Sequence, residues 1–277
     1  MLSLIFAATS ALIWGAGDFA GGKASQRTNS FGIALVAELA GIPLVVGWLL
    51  VTRPGMPAVA DLVWGAVAGV VGVAGLVVFY RGLAGGAMSV VAPLTATTTA
   101  AVPLLLGLLL DRRPSALALT GAVLAVAAIT LVSAGPTGGV RISRSVIVAA
   151  LGAGLLFGGY FTLIAQTSHE SGMWPLLSGR VVAVIGLLAA MRVMRVPLKM
   201  DRSSVALAST AGVFDVTANA FYLIAVRGGM LSITAPIASL YPVSTVFLAM
   251  VVDRERMRPL QITGLGLAAA ALVLTAA

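Results

Sequence analysis

Residues 212–229, GVFDVTANAFYLIAVRGG, decide the fold because the chain contains a second version of them. Residues 69–86 read GVVGVAGLVVFYRGLAGG, a stretch of equal length that also begins with one Gly and ends with two. Asp215 of the later copy corresponds to Gly72 of the earlier copy. The same apolar segment therefore occurs twice, with an acid in only one of its two copies.

The composition predicts an integral membrane protein. Sixty per cent of the 277 residues are hydrophobic and 9% are charged, whereas a soluble domain carries about 25% charged residues. Mean hydropathy is +1.08. A helix needs about 20 apolar residues to cross a bilayer, and we number ten such segments as spans 1 to 10: 2–22, 31–51, 62–80, 89–110, 115–134, 146–167, 173–191, 204–226, 231–252 and 259–276. Membrane β-strands are shorter and alternate in polarity, so we expect an all-α, multi-pass protein of the cell (plasma or inner) membrane.

The charged and reactive residues argue against an enzyme or a nucleic-acid-binding protein. The net charge is +8, but nearly all Lys and Arg lie in short loops between spans, as in loops that face the cytoplasm. The chain has no Cys, and its single His, His169, lies beside Glu170 in a polar break. GxSxG, HExxH and GxxxxGK[ST] motifs are absent from the sequence. We therefore predict no enzyme activity, no cofactor, no metal site, no nucleic-acid partner and no ATP-driven pumping by this chain alone.

The repeat extends over the whole chain. GGAMSVVAPL at 85–94 matches GGMLSITAPI at 228–237, and IWGAG at 13–17 aligns with LFGGY at 156–160, both about 143 residues apart. The predicted repeats are residues 1–137 with spans 1–5 and residues 143–277 with spans 6–10. Because five is odd, the two copies must enter the membrane in opposite directions. The expected fold is ten transmembrane helices as two inverted five-helix repeats, an architecture common among secondary transporters. Glycines spaced four apart, such as Gly65 and Gly69, predict close helix packing.

Short motifs occur in a fixed order along the chain: Trp14-Gly15 in span 1, Ser89 to Pro93 and Ser232 to Pro236 at the starts of spans 4 and 9, Asp111 and Asp253 at their ends, and Gln261 and Gly264 in span 10. Together with the half-chain repeat, they resemble the EamA-like members of the drug/metabolite transporter superfamily. The chain departs from the common pattern with Asp rather than Glu at positions 111 and 253. The resemblance implies a ten-helix secondary transporter in the lipid bilayer, often an exporter of small metabolites or drugs.

The distribution of basic residues predicts an orientation. The loops after spans 1, 3, 5, 7 and 9 hold twelve of the seventeen Lys and Arg residues. Because cytoplasmic loops carry the excess of Lys and Arg, this count places both termini outside. The family resemblance instead implies cytoplasmic termini.

Charged residues inside the spans are candidates for a functional site. Each costs about 2.5–3.5 kcal/mol on insertion scales and usually faces a cavity or a partner. Asp18 follows Trp14 by four residues and so shares its helix face, although it also lies near enough to the end of span 1 to reach the interface. Glu38 and Arg180 are near-equivalent positions of the repeat, which either line a cavity or form a structural ion pair.

Span 8 carries a polar stripe at i, i+4 and i+7, formed by Asp215, Asn219 and Tyr222. A helix that contacts only lipid would not carry it, so the stripe faces either a cavity or a neighbouring helix. A carboxylate that is removed from water can exchange a proton near neutral pH, which makes Asp215 the candidate for proton coupling. The predicted substrate-binding or coupling residues are Trp14, Asp18, Glu38, Tyr80, Arg180, Asp215, Asn219, Tyr222 and Tyr241.

These observations predict a secondary transporter of small organic molecules or metabolites that works by alternating access. Export is the expected direction, and a proton gradient is a candidate driving force. A flippase of lipid-linked intermediates is an alternative, and it would need cationic residues in its groove, for which Arg180 is the only candidate. An intramembrane enzyme would need a nucleophile and a base close together, and the lone His in a loop argues against that alternative.

Overall fold

The structure is a computed structural model that describes residues 1–84, 88–110, 114–132, 144–252 and 259–276. Within those residues every regular element is helical, with one short 3₁₀ turn at His169–Ser171. The α-helices are α1 (Leu2–Ser25), α2 (Ser30–Thr52), α3 (Val59–Ala84), α4 (Met88–Leu110), α5 (Ala116–Val132), α6 (Arg144–Ile164), α7 (Trp174–Val193), α8 (Arg202–Arg227), α9 (Leu231–Ala238), α10 (Tyr241–Val252) and α11 (Pro259–Ala276). Asp111, Asp253 and the predicted boundary between the repeats lie outside the described residues.

The helices have the length and the surface of membrane spans. Six of those described, α1, α2, α3, α6, α7 and α8, are long and apolar enough to cross a bilayer, and shorter apolar helices cover Leu94–Leu110, Ala116–Val132 and Pro259–Thr275. Large apolar side chains point outward from the bundle; Val51 is 84% exposed and Leu109 is 81% exposed. A soluble protein rarely exposes so much apolar surface, so this is the surface of a multi-pass membrane protein.

Span 9, predicted as one helix over 231–252, is instead two helices with a break at Ser239 and Leu240. The physical reason is Pro242, which has no N–H to donate to Ala238 and whose ring clashes with that carbonyl. The equivalent position of the first repeat is Thr99, and α4 continues through it without a break. Pro242 therefore gives the second repeat a helix break that the first repeat lacks.

The two halves of the chain are interleaved, and each packs mainly against the other. The most extensive contacts join helices of opposite halves: α1 with α8, α5 with α11, α4 with α6, α3 with α6, α3 with α7 and α2 with α8. In the sequence repeat α1 corresponds to α6, α2 to α7 and α3 to α8. The contact of α1 with α8 is thus the counterpart of the contact of α6 with α3, and α2 with α8 is the counterpart of α7 with α3.

Glycines allow these helices to approach closely, as their spacing predicts. A Cβ atom at Gly69 of α3 would overlap the backbone of Gly179 on α7, and one at Gly65 would overlap the backbone of Pro175. On α6, a Cβ atom at Gly154 would lie 2.5 Å from Cβ of Thr98. Such contacts draw the backbones of opposite halves together around the centre of the bundle.

The loops define two opposite faces of the bundle. On the first, which we call the Asn29 face, the loop after α1 bonds to the loop after α7: Asn29 Nδ2 donates to the Pro197 carbonyl at 3.2 Å and Thr28 Oγ1 donates to the Lys199 carbonyl at 3.0 Å. The Asn29 face is therefore where α1 ends and α8 begins.

The second, which we call the Arg227 face, lies at the end of α6. The Arg227 guanidinium donates to the Gly172 carbonyl at 2.8 Å and to Ser171 Oγ at 2.7 Å. Asp61 at the start of α3 accepts from the backbone N–H of Ser168 at 2.8 Å. Ser3 near the start of α1 lies against Gly228 on this face. Thus α1 runs from the Arg227 face to the Asn29 face, whereas α6 ends at the Arg227 face.

Candidate functional site

A cavity of about 100 Å³ lies at the centre of the bundle, between helices of both halves. Its polar lining consists of Asp18, Glu38, Thr99, Arg180, Asp215 and Asn219, and its aromatic lining of Trp14, Phe157, Tyr160, Phe161 and Tyr241. Most of these residues lie near the middle of their helices. The cavity is thus deep in the protein and is lined by charged and aromatic groups together.

An ion-pair network occupies one wall of this cavity. Arg180 Nη1 of α7 donates to Glu38 Oε2 of α2 at 2.9 Å, and Arg180 Nη2 donates to Asp215 Oδ2 of α8 at 2.5 Å. The side chains of Arg180 and Glu38 are 7% and 12% exposed, whereas that of Asp215 is 34% exposed. Arg180 therefore stabilises two carboxylates, and Asp215 is the one more open to the cavity.

Asp215 also connects α8 to α1 and, through Asn219, to α6. Trp14 Nε1 donates to Asp215 Oδ1 at 3.1 Å. Asn219 Nδ2 donates to the backbone carbonyl of Asp215 at 2.8 Å, and the hydroxyl of Tyr160 donates to Asn219 Oδ1. A change in charge at Asp215 would act directly on α1, α7 and α8.

Asp18 is set apart from this network. Its carboxylate lines the cavity, and it has no hydrogen bond or ion pair among the described residues. It lies close enough to Tyr80, Tyr241 and Asp215 to interact with them electrostatically. Asp18 also lines a second void of about 20 Å³ together with Tyr80 and Asp215. The structure thus places Asp18 at the cavity wall.

Tyr222 lies behind the cavity wall. Its hydroxyl donates to the Phe161 carbonyl at 3.1 Å, and its ring stacks on Phe161 with centroids 4.4 Å apart. It is fully buried and does not line the cavity. Tyr222 supports the rings of Phe161 and Trp14, whereas Trp14, Asp18, Glu38, Arg180, Asp215, Asn219 and Tyr241 of the predicted set line the cavity itself.

Sequence reasoning missed Tyr160, which lines the cavity and bonds to Asn219. The repeat contains the signal, because Tyr160 aligns with Gly17 of the first copy, just as Asp215 aligns with Gly72. In the structure a Cβ atom at Gly72 would lie 3.0 Å from the Tyr160 ring, and Gly17 packs against α8 beside Asp215. One of these equivalent contacts therefore carries an aromatic ring and the other carries an acid.

The carboxylates among the described residues of the cavity lining are not grouped as metal ligands. Within the described parts of the chain, no group of three or more His, Cys, Asp or Glu side chains could hold one. Arg180 lies between Glu38 and Asp215 and takes the position that a cation would need. The arrangement instead suits the binding of a small polar solute within an apolar bundle.

These features define the class: a multi-pass membrane protein with two related halves around a polar central cavity. Residues 1–134 and 144–277 both match the family described as the EamA-like transporter family. The chain belongs to that family, which confirms the resemblance, and is a membrane transporter of small molecules.

A comparison with solved structures supports the fold. The chain is similar to a protein described only as "Crystal structure of protein", with a TM-score of 0.74 and 17% sequence identity, over 98% of this chain and 95% of that one. At this identity the likeness shows the fold alone. No curated protein matches the chain significantly.

Proposed function

We propose that this transporter is an alternating-access exporter of small organic molecules in the cell membrane, driven by a proton gradient. The observation that carries the proposal is the central cavity, which is lined by both halves and has the ion pair of Glu38 with Arg180 in its wall. A site shared between halves becomes accessible from alternate sides when the halves move relative to each other.

The proposed architecture is a pair of inverted five-helix repeats, with α9 and α10 together forming the ninth of ten crossings. Two observations support it. The helices α1 and α6, which correspond in the repeat, run in opposite directions between the Asn29 face and the Arg227 face. The principal contacts between halves also occur in equivalent pairs, as a two-fold axis in the membrane plane would require.

Asp215 is the proposed proton-coupling residue. It is the most exposed member of the Arg180 network, so a proton can reach it from the cavity. A proton on Asp215 would remove the charge that holds Arg180 and weaken the acceptor that holds Trp14. Because these partners lie on α7 and α1, protonation would loosen three helices from one another and favour the conformational change.

The same network disfavours the lipid-linked flippase. A phosphate head group would need a free cation, and Arg180 is the only basic residue among the described residues that line the cavity. Both of its terminal nitrogens already bind carboxylates. We therefore favour a carrier of small solutes.

The test is uptake by proteoliposomes against a panel of metabolites, with and without a pH gradient. Asp215→Asn keeps the shape and removes the titration, so pH-driven accumulation should be lost. Exchange of labelled for unlabelled substrate, which needs no net proton movement, should persist. Asp201→Asn is the matched control, because Asp201 is an exposed helix cap that accepts from Ser204 N–H at 3.3 Å, and Asn caps equally well.

Accumulation by Asp215→Asn at the rate of the unmodified protein would refute the coupling role of Asp215. Loss of exchange as well as accumulation would show that Asp215 serves binding or folding instead. Export is proposed on the family resemblance alone. Vesicles of known orientation test it, because an exporter should accumulate substrate in inside-out vesicles.

A further inference from the structure

We propose that the central cavity selects small organic cations, with Asp18 as the counter-ion of an amine or ammonium group. This inference rests on the proposed transport function and assigns a substrate class to its site. The described cavity lining carries three carboxylates, those of Asp18, Glu38 and Asp215, and one guanidinium, that of Arg180. Its formal charge is therefore −2, which an apolar environment makes costly unless a cation compensates it.

The position of Arg180 excludes it as a receptor for an anionic solute. Its two terminal nitrogens bind Glu38 and Asp215, and its side chain is only 7% exposed. The Cα of Gly41 also lies so close that an added Cβ atom would be 2.6 Å from Nη1. A substrate carboxylate would have to displace an existing ion pair, and it would meet the repulsion of Asp18 as well.

Asp18, in contrast to Arg180, is available to bind a charged group of the substrate. Its carboxylate faces the cavity and, in the described part of the chain, has no basic partner. An ammonium group beside it would form a charge-assisted hydrogen bond and neutralise part of the excess negative charge. The Arg180 network would remain intact while the cation binds, so substrate binding and the proton on Asp215 use different carboxylates.

The aromatic lining strengthens the preference for a cation. Trp14 lies one helical turn before Asp18, and the Tyr241 hydroxyl lies beside that of Thr99 and near Asp18. Aromatic faces attract ammonium groups through cation–π interactions, which are worth about 0.5–2 kcal/mol. They also provide apolar contact for the rest of an organic cation, which an inorganic ion would not use.

The cavity size limits the substrate. At about 100 Å³, the cavity is smaller than the roughly 300–1,000 Å³ of pockets for drug-sized ligands. In this conformation it suits an ammonium group with a short apolar substituent.

A matched series of three aromatic solutes tests the charge preference: benzylamine, benzyl alcohol and benzoate, which are close in size and differ in charge. Equilibrium binding to the purified protein in detergent at neutral pH is measured by calorimetry. We expect benzylamine to bind at least about tenfold more tightly than the other two, the ratio expected for one charge-assisted contact. Asp18→Asn should remove this preference without changing the affinity for benzyl alcohol, and Asp18→Glu should retain it.

Asp201→Asn is again the control, since it is the same substitution far from the cavity. The inference is overturned if benzoate or benzyl alcohol binds as tightly as benzylamine, if no benzylamine binding is seen at millimolar concentration, or if Asp18→Asn leaves the affinity for benzylamine unchanged. The assay uses no gradient, so it separates the two proposals. A protein that binds benzylamine selectively but shows no pH-driven accumulation would refute the coupling and retain the cation site.

Discussion

Glu38 and Arg180 occupy near-equivalent positions of the repeat, yet their side chains meet at 2.9 Å across the boundary between the halves. Equivalent positions come together only close to the axis that relates two copies. Residues of the same charge at such positions would repel each other. An ion pair close to the axis therefore requires residues of opposite charge at the equivalent positions of the two repeats. The acid of one half and the base of the other meet this requirement and hold α2 against α7.

Arg180→Met should destabilise the protein by about 3–5 kcal/mol, because it leaves Glu38 and Asp215 as unpaired charges in the interior. Unfolding in detergent, followed by heat or denaturant, measures the change. Combining Arg180→Met with Glu38→Gln should recover part of the loss. Arg192→Met, at the exposed end of the same helix, should cost less than about 1 kcal/mol. A similar cost for both single variants would mean that the network adds little to stability.

Gly69→Ala should destabilise the protein by about 1–3 kcal/mol or more. The new methyl group would overlap the backbone of Gly179, which cannot move aside as a flexible side chain could. Gly186→Ala on α7 is the matched control, because no atom lies within 4 Å of its added Cβ. It should stabilise the helix by up to about 1 kcal/mol. The same unfolding assay compares them, and equal midpoints would contradict the close packing of α3 on α7.

Pro242→Thr should join α9 and α10, because it restores an N–H group and introduces the residue found at the equivalent position 99. Hydrogen–deuterium exchange over residues 238–243 should slow, and transport turnover should fall severalfold while substrate affinity changes little. Pro259→Thr, at the first residue of α11 where proline is well tolerated, should change neither. Unaltered exchange in Pro242→Thr would show that another residue causes the break.

The Asn29 face should lie in the cytoplasm, with the N-terminus outside. Lys199 and Arg202 lie on this face, and cytoplasmic loops carry the excess of basic residues. The chain has no Cys, so single cysteines report topology directly. A membrane-impermeant maleimide should label Glu170→Cys in intact cells and should label Ser203→Cys only after lysis. The reverse pattern would support the cytoplasmic termini that the family resemblance implies.

The sequence predicts the helical fold, the repeat and most of the polar residues that line the cavity, since charges within the spans and the internal repeat reveal them. It does not predict the break at Ser239, because a proline within a span can bend, break or leave a helix intact according to its neighbours. The sequence pattern also assigns Tyr222 to the site, although its ring lies behind the cavity wall, stacked on Phe161. Periodicity identifies the side of a helix, but it does not give the depth at which a side chain lies.

The unequal contacts of Tyr160 with Gly72 and of Gly17 with α8 beside Asp215 have a consequence for the resting protein. In the proposed alternating-access cycle, two identical inverted halves would give inward-open and outward-open conformations of equal free energy and equal population. One of these contacts contains an aromatic ring and the other contains an acid. The interactions made in the two conformations are therefore not equivalent, and the conformations should differ in free energy. A difference of about 1.4 kcal/mol gives a tenfold excess of one conformation. Without substrate, the cavity should therefore be open to the same side of the membrane in most molecules. Spin-label distances across the Arg227 face should show one dominant population.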